Sequence, residues 1–166
     1  MINEICFSDI ILESATEIFE TMAFMSVEKA SEPKQNIDGD SLLASITFKG
    51  ALEGCLSICS GMPCTKAIAI NMLGTESEEE IQPKDIADAL GEMANMIMGG
   101  VKSRVLESIG ALDISIPTVV HGNDLTNNFG RKNKILVEVM IDDNYPARFS
   151  MWYREASDKL RTNPPE

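Results

Sequence analysis

The strongest constraint on the fold is a long stretch of helical periodicity between Pro83 and Gly110. Proline is favoured at the first position of a helix and glycine just beyond the last, so these residues predict its two ends. A helix of roughly 27 residues is about 40 Å long, and the adjacent Gly99 and Gly100 mark a place where it can bend. Apolar residues follow the helical period and predict one buried surface: Ile86, Leu90, Met93, Ile97 and Val101.

The same helix keeps one narrow polar stripe, formed by Asp88, Glu92, Asn95 and Gly99. With the direction of Asp88 as zero, Glu92, Asn95 and Gly99 lie at about +40°, −20° and +20° around the helix axis. Asparagine is a poor helix former, and glycine costs about 1 kcal/mol relative to alanine inside a helix. A solvated face, a hydrogen-bonded polar group in the core and a surface that meets a partner would each explain the stripe. Periodicity alone leaves these alternatives open.

Length and charge narrow the class of protein. The chain has 166 residues, which suits one domain, predicted over residues 1–157. Its 14 Lys and Arg against 26 Asp and Glu give a net charge of −12, which argues against binding to nucleic acid or to an anionic membrane surface. We find neither a signal-like N-terminal segment nor an apolar run of roughly 20 residues. We therefore expect a cytoplasmic protein.

Shorter periodic segments surround the long helix, and turn-forming residues separate them. They predict an α+β fold in which long helices pack on a largely antiparallel sheet. Residues 30–41 are predicted to form a loop and residues 158–166 a flexible tail. The predicted helices cover residues 8–29 and 63–74, and the predicted strands cover residues 42–50, 53–61, 114–122, 133–142 and 147–155.

A weak internal repeat indicates that the fold is built from two related halves. Residues 15–25 can be aligned with residues 90–100, so that Glu17 matches Glu92. Glu20 then falls where Asn95 stands. Strands follow each copy, and only the second copy carries the asparagine.

Familiar catalytic and metal-binding patterns are missing. Cys55 and Cys59 are four residues apart, which is not the spacing of a zinc pair, and we expect reduced, structural thiols in a cytosolic chain. The single histidine, His121, stands alone near a predicted strand end and is expected to be a surface or packing residue. Motifs of serine hydrolases, zinc proteases, phosphate loops and EF-hands do not occur. No metal site is predicted.

A glutamate and an asparagine one turn apart can still support one type of chemistry. A carboxamide is not a useful base, but it donates and accepts hydrogen bonds and can hold a water molecule in line with a phosphorus atom. Phosphoryl transfer depends mainly on positioning and charge stabilisation, and a glutamine does the corresponding work in GTPases. A partner that brings its own phosphate and Mg²⁺ would need little more than a helix bearing Asn95.

The pattern Asp88-x3-Glu92-x2-Asn95, followed after 21 residues by Pro117, resembles the signature of the CheC and CheX chemotaxis phosphatases. The segment "ALGEMANMIMGG" is similar to the core of that signature, and "FETMA" at residues 19–23 resembles the first helix of the CheX branch. The order of predicted elements fits a CheC/CheX-like fold with pseudo-two-fold halves.

The resemblance implies a phosphatase that stimulates hydrolysis of the aspartyl phosphate on a CheY-like response regulator. Asn95 would orient the attacking water, and Glu92 would pair with the regulator's active-site lysine. Asp88 would support docking, and Gly99 with Gly100 would permit close approach. The regulator would supply Mg²⁺, so no intrinsic cofactor is expected.

Further expectations follow from the resemblance. Pro117 would shape the element beside the helix without a chemical role. CheC proteins carry the Glu and Asn pattern in both halves, whereas the first half here has Glu17 and Glu20 without an asparagine. That difference favours one active site per chain and the CheX branch, whose members form homodimers. The alternative is a non-catalytic scaffold of the chemotaxis or flagellar switch system that docks a receiver domain.

Overall fold

A computed structural model of the chain describes residues 2–32, 37–125 and 133–156. The predicted tail and part of the predicted loop over residues 30–41 lie outside these ranges. The helices are α1 (Phe7–Ile18), which continues into a π-helical turn (Phe19–Ala23), α2 (Met62–Leu73) and α3 (Pro83–Ile109). The strands are β1 (Val27–Lys29), β2 (Asp40–Lys49), β3 (Leu52–Gly61), β4 (Asp113–Ile114), β5 (Thr118–Asn123), β6 (Lys134–Ile141) and β7 (Tyr145–Glu155). Short 3-10 turns occur at Ile2–Glu4 and Glu78–Glu80.

The seven strands form one sheet in the order β1-β6-β7-β3-β2-β4, with β5 also paired to β2. Every strand pair among the described residues is antiparallel. The predicted α+β class, with helices on a largely antiparallel sheet, is confirmed.

The sheet order shows the two related halves that the internal repeat indicated. Each half consists of a long helix followed by strands: α1 by β1, β2 and β3, and α3 by β4, β5, β6 and β7. The last strands of the halves, β3 and β7, pair at the centre, where Ser57 faces Ser150. The outer strands are exchanged, because β1 pairs with β6 and β5 with β2. This arrangement has the symmetry of a pseudo-two-fold axis through the centre of the sheet.

Alternation along β2 explains how the sheet holds the helices. Leu42, Ala44, Ile46 and Phe48 are buried, whereas Thr47 and Lys49 between and beyond them are exposed. Since successive strand residues point to opposite faces, the apolar set lines one face of the sheet. The buried residues of α3 belong to the same core cluster, which places the long helix on this face.

The first predicted helix is too long. It was expected to reach about Lys29, but helical structure ends at Ala23 and the chain turns at Phe24, whose φ of 55° lies in the left-handed region. The Met25 N–H closes this end by donating to the Phe19 carbonyl at 3.1 Å. Val27 then pairs with Ile141 in the sheet. The apolar spacing continued past the helix end because buried strand residues followed immediately.

The remaining element predictions hold with small changes. The hairpin of β2 and β3, the helix ending before Gly74 and the long helix from Pro83 are confirmed. Gly74 has a φ of 67°, as expected for a glycine that ends a helix. The strand predicted over residues 114–122 is divided into β4 and β5, and the dividing segment contains Pro117, which has no N–H to donate. In the described part of the chain, no helix is both long and apolar enough to span a membrane.

The cysteines differ sharply in their environments. Cys55, Cys59 and Cys64 are buried, and Cys6 is exposed. Burial raises the pKa of Cys55 and Cys59 and raises that of Cys64 to about 12. A thiol reacts through its thiolate, so both burial and a raised pKa protect these three residues.

We therefore predict that a maleimide reagent near neutral pH modifies one thiol per native chain, at Cys6. After unfolding, all four cysteines should react. Mass spectrometry of labelled peptides measures both numbers. Rapid labelling of Cys55 or Cys59 in the native protein would contradict the packing described for β3.

Candidate functional site

The site is carried by α3, and its first turn is well stabilised. Gln82 and Asp85 form a capping box, in which the Gln82 N–H donates to Asp85 Oδ2 at 3.1 Å. Pro83 occupies the first turn, where its missing N–H costs nothing. The carboxylate of Asp85 also lies near the positive end of the helix dipole. These features place the beginning of the stripe one turn into an ordered helix.

The polar stripe faces outward. Asp88 and Glu92 are exposed and Asn95 is partly exposed, whereas Leu90, Met93 and Ile97 are buried. Within the described ranges, none of the three polar side chains makes a hydrogen bond or an ion pair. The alternative of a polar group satisfied inside the core is therefore excluded. The stripe offers two carboxylates and one carboxamide whose bonding capacity is unused by the fold.

The two glycines beyond Asn95 differ in their surroundings. A Cβ atom added to Gly99 would have nothing within 4 Å, so this residue leaves an open surface one turn from Asn95. A Cβ atom on Gly100 would lie 3.1 Å from the Cβ of Ser14 on α1. Gly100, which was expected to permit approach of a partner, lies where α1 packs closely on α3.

Pro117 supports the stripe from one side. A Cβ atom on Gly91 would lie 3.6 Å from Pro117 Cγ and 3.3 Å from Val119 Cγ2. The proline therefore packs directly against the helix at the residue preceding Glu92. Sequence reasoning placed Pro117 beside the helix but missed Gly91, although a glycine inside a helix was a detectable signal.

The opposite flank of α3 is fixed by an ion pair that sequence reasoning also missed. Arg104 Nη2 donates to Glu17 Oε2 at 2.7 Å, and Arg104 Nε lies 3.6 Å from Glu13 Oε2. Glu17 is thus engaged within the chain, whereas Glu92, its match in the internal repeat, is not. Glu20, which aligns with Asn95, is exposed.

Other candidates contribute little to this site. His121 is exposed and its Nε2 lies 2.5 Å from Asp40 Oδ1, so it acts as a surface residue of the β2–β5 pair. Among the described residues, no group of three or more His, Cys, Asp or Glu side chains is placed to hold a metal ion. The chemistry available at the stripe is hydrogen bonding and charge pairing.

The two glycines give a matched pair for a stability test. Alanine is about 1 kcal/mol better than glycine in a helix interior, so Gly99→Ala should raise the free energy of unfolding by about that amount. Gly100→Ala should lower it by about 1 kcal/mol, because crowding against Ser14 outweighs the gain. Urea denaturation measures both, and a stabilisation of equal size in the two variants would contradict the α1–α3 contact.

Comparison with known proteins identifies a family whose match contains the stripe. The family described as "Chemotaxis phosphatase CheX" matches residues 42–139, which include the whole stripe and Pro117. A curated relative from Thermotoga maritima, "CheY-P phosphatase CheX", is 28% identical over 113 residues, covering 67% of this chain and 72% of the relative.

Solved structures share the fold. Chemotaxis protein CheX from Vibrio vulnificus superposes with a TM-score of 0.77 at 24% identity, over 90% of this chain and 97% of that one. CheX from Borrelia burgdorferi, in a crystal structure of a CheX-CheY-BeF3-Mg²⁺ complex, gives a TM-score of 0.68 at 18% identity, over 89% and 97% of the two chains. Because the family match covers more than half of the sequence and contains the stripe, the chain belongs to the CheX family of chemotaxis phosphatases.

Proposed function

We propose that the chain is a phosphatase that stimulates hydrolysis of the aspartyl phosphate on a CheY-like response regulator. The observation that supports this most strongly is the pair of the exposed Glu92 and the partly exposed Asn95, which are one helical turn apart and without partners among the described residues. Both project from a helix that is fixed along its buried face. Such a pair can enter another protein's active site without rearrangement of its own fold.

In the proposed reaction, the Asn95 carboxamide holds a water molecule in line with the phosphorus atom. The water oxygen forms the new P–O bond, the bond from phosphorus to the aspartyl oxygen breaks, and inorganic phosphate and the free carboxylate result. The carboxylate is a good leaving group, so positioning and charge stabilisation account for most of the catalysis. The regulator supplies Mg²⁺, and the chain supplies no metal of its own.

Glu92 is proposed to pair with the active-site lysine of the regulator. Its exposed carboxylate lies one turn from Asn95, so one docked orientation can satisfy both residues. Asp88 extends the charged surface by another turn, and Gly99 leaves room for the regulator's backbone beside Asn95. Gly100 is not assigned to this surface, because it packs against Ser14.

The relatives support this choice of partner. The Thermotoga maritima relative is named a CheY-P phosphatase, and the Borrelia burgdorferi CheX was crystallised with CheY, BeF3 and Mg²⁺. We propose a CheY-like receiver for this chain as well, and, as the resemblance implies, a homodimer that acts in the cytoplasm. Glu17 is held by Arg104, which supports a single active site per chain.

We predict that Asn95→Ala reduces stimulated dephosphorylation by at least about 100-fold, because the water loses its orienting group. Docking should change little, since Glu92 and Asp88 remain. The measurement is the decay of phosphorylated CheY-like regulators from the same genome, with Mg²⁺, without added protein and with wild type or Asn95→Ala. If the variant retained wild-type activity, the proposed role of Asn95 would be wrong. If no regulator decayed faster with wild type but one bound to it, the chain would be a docking scaffold.

We also predict that Glu92→Lys weakens docking itself, because a lysine would then face the regulator's lysine. The expected loss is about tenfold or more in affinity for the beryllofluoride-loaded regulator. Glu107→Lys is a matched control with the same charge change at an exposed position of α3, and it should bind normally. Equal weakening by both variants would indicate an effect of net charge and would argue against a specific pair.

A further inference from the structure

Two large apolar side chains are unusually exposed, each at the end of a segment that packs on α3. Ile116 is 86% exposed and Phe24 is 76% exposed, the highest values among the exposed large hydrophobic residues of the described ranges. Isolated apolar side chains are common on protein surfaces. The segments that carry these two residues, however, both pack against α3.

Ile116 is held rigidly beside the helix. On one side of it, the Ser115 N–H donates to the Thr47 carbonyl and the Thr47 N–H donates to Ser115 Oγ, both at 2.9 Å. On the other side, Pro117 packs against Gly91. The backbone of Ile116 is therefore anchored at both neighbours, and its exposed side chain directly precedes the proline that packs on α3 at Gly91.

Phe24 is held at the end of the π-helical turn in a conformation that bulky residues rarely adopt. Its φ is 55° and its ψ is 36°, where glycine or asparagine would be less strained. The preceding carbonyl, that of Ala23, accepts a hydrogen bond from Asn71 Nδ2 of α2 at 2.8 Å, and Met25 is buried immediately after it. An exposed aromatic ring at a strained position is hard to explain by folding alone.

The packing of α1 places Phe24 near the level of Glu92. Ser14, in the middle of α1, lies opposite Gly100 in the second half of α3. Ala23, at the end of the π-helical turn, contacts α2. Ile70 of α2 lines a cleft together with Pro83 and Ile86, which belong to the start of α3. The two long helices therefore run in opposite directions. At about 1.5 Å per residue, Ala23 lies about as far from Ser14 as residue 91 lies from Gly100.

The two residues lie on opposite flanks of the stripe. Gly91, where the Ile116 segment packs, and Gly100, where α1 packs, are about 180° apart around the helix. The stripe between them has charge and hydrogen-bonding capacity but no apolar group. Specific interfaces commonly bury about 800 Å² on each partner, and their energetic centres are enriched in aromatic residues. The four stripe residues, one of them glycine, provide neither that much buried area nor an aromatic side chain.

We propose that Ile116 and Phe24 are apolar docking residues that contact the phosphorylated receiver on either side of its active site while the stripe enters it. This inference rests on the proposed function for the identity of the partner. It assigns affinity for the receiver to the two flanking residues and the chemical step to Asn95.

Ile116→Ser and Phe24→Gly test the proposal in the full-length chain. Leu136→Ser is the control, because Leu136 is 51% exposed and lies on the sheet face away from the helices. The probes are a CheY-like receiver loaded with beryllofluoride and Mg²⁺, for Kd, and the same receiver phosphorylated, for KM and kcat. Thermal unfolding monitors the fold.

We expect each of the two variants to raise Kd and KM roughly tenfold and to change kcat less than twofold. Phe24→Gly should not lower the melting temperature, because glycine relieves the strained backbone. A loss of binding with an unchanged or raised melting temperature cannot be attributed to misfolding. The Leu136→Ser control should behave as wild type.

Values of Kd for both variants within twofold of the Leu136→Ser control would overturn the proposal. An equal loss of affinity in all three variants would also overturn it, because removal of any exposed apolar side chain would then weaken binding. If wild type bound the receiver without speeding its dephosphorylation, and Ile116→Ser and Phe24→Gly abolished that binding, the proposed catalytic function would fail and the docking assignment would stand. If wild type bound no receiver, both would fail.

Discussion

The burial of one face of α3 on the sheet, mainly against β2 and β3, is the interaction on which the rest of the structure depends. Leu90, Met93 and Ile97 are almost fully enclosed, and apolar burial of this kind supplies most of the free energy that holds a helix on a sheet. Because the buried residues set the rotation of the helix, they also set the direction of the stripe. Asp88, Glu92 and Asn95 face outward because the apolar residues on the other side of the helix are buried against the sheet.

Two close contacts then fix the helix from its sides. Gly91 admits Pro117 and Val119, and Gly100 admits Ser14. These contacts lie on opposite flanks, and Glu92, Asn95 and Gly99 fall between them along the helix axis. A site built on a regular, laterally supported helix loses little conformational entropy when it docks, which favours affinity and precise positioning.

Much of this could be predicted from the sequence, and the misses have physical causes. The long helix was predictable because Pro83, Gly110 and a sustained apolar period agree, and the stripe because helical spacing is regular. The end of the first helix was not predictable, because Met25 and Val27 continue a helix-like apolar spacing although they are buried in a turn and a strand. The separate functions of Gly99 and Gly100 and the Arg104–Glu17 pair depend on which element lies beside α3. A single sequence does not contain that information.

The two halves of the symmetric frame differ in the polar surfaces that their helices present. The strand order is symmetric about β3 and β7, yet the helix of the first half ends in a π-helical turn and its Glu17 is bound by Arg104. The second half leaves Glu92 exposed and Asn95 partly exposed. In the proposed function, the first half supports the second.

The central claim is that the stripe of α3 enters the active site of a phosphorylated receiver. The most direct test is a crystal structure of the chain with its CheY-like regulator, beryllofluoride and Mg²⁺. The account predicts the Asn95 carboxamide within hydrogen-bonding distance of a water in line with the beryllium atom, and the Glu92 carboxylate paired with the regulator's lysine. A complex in which the regulator binds elsewhere and Asn95 remains in solvent would contradict it.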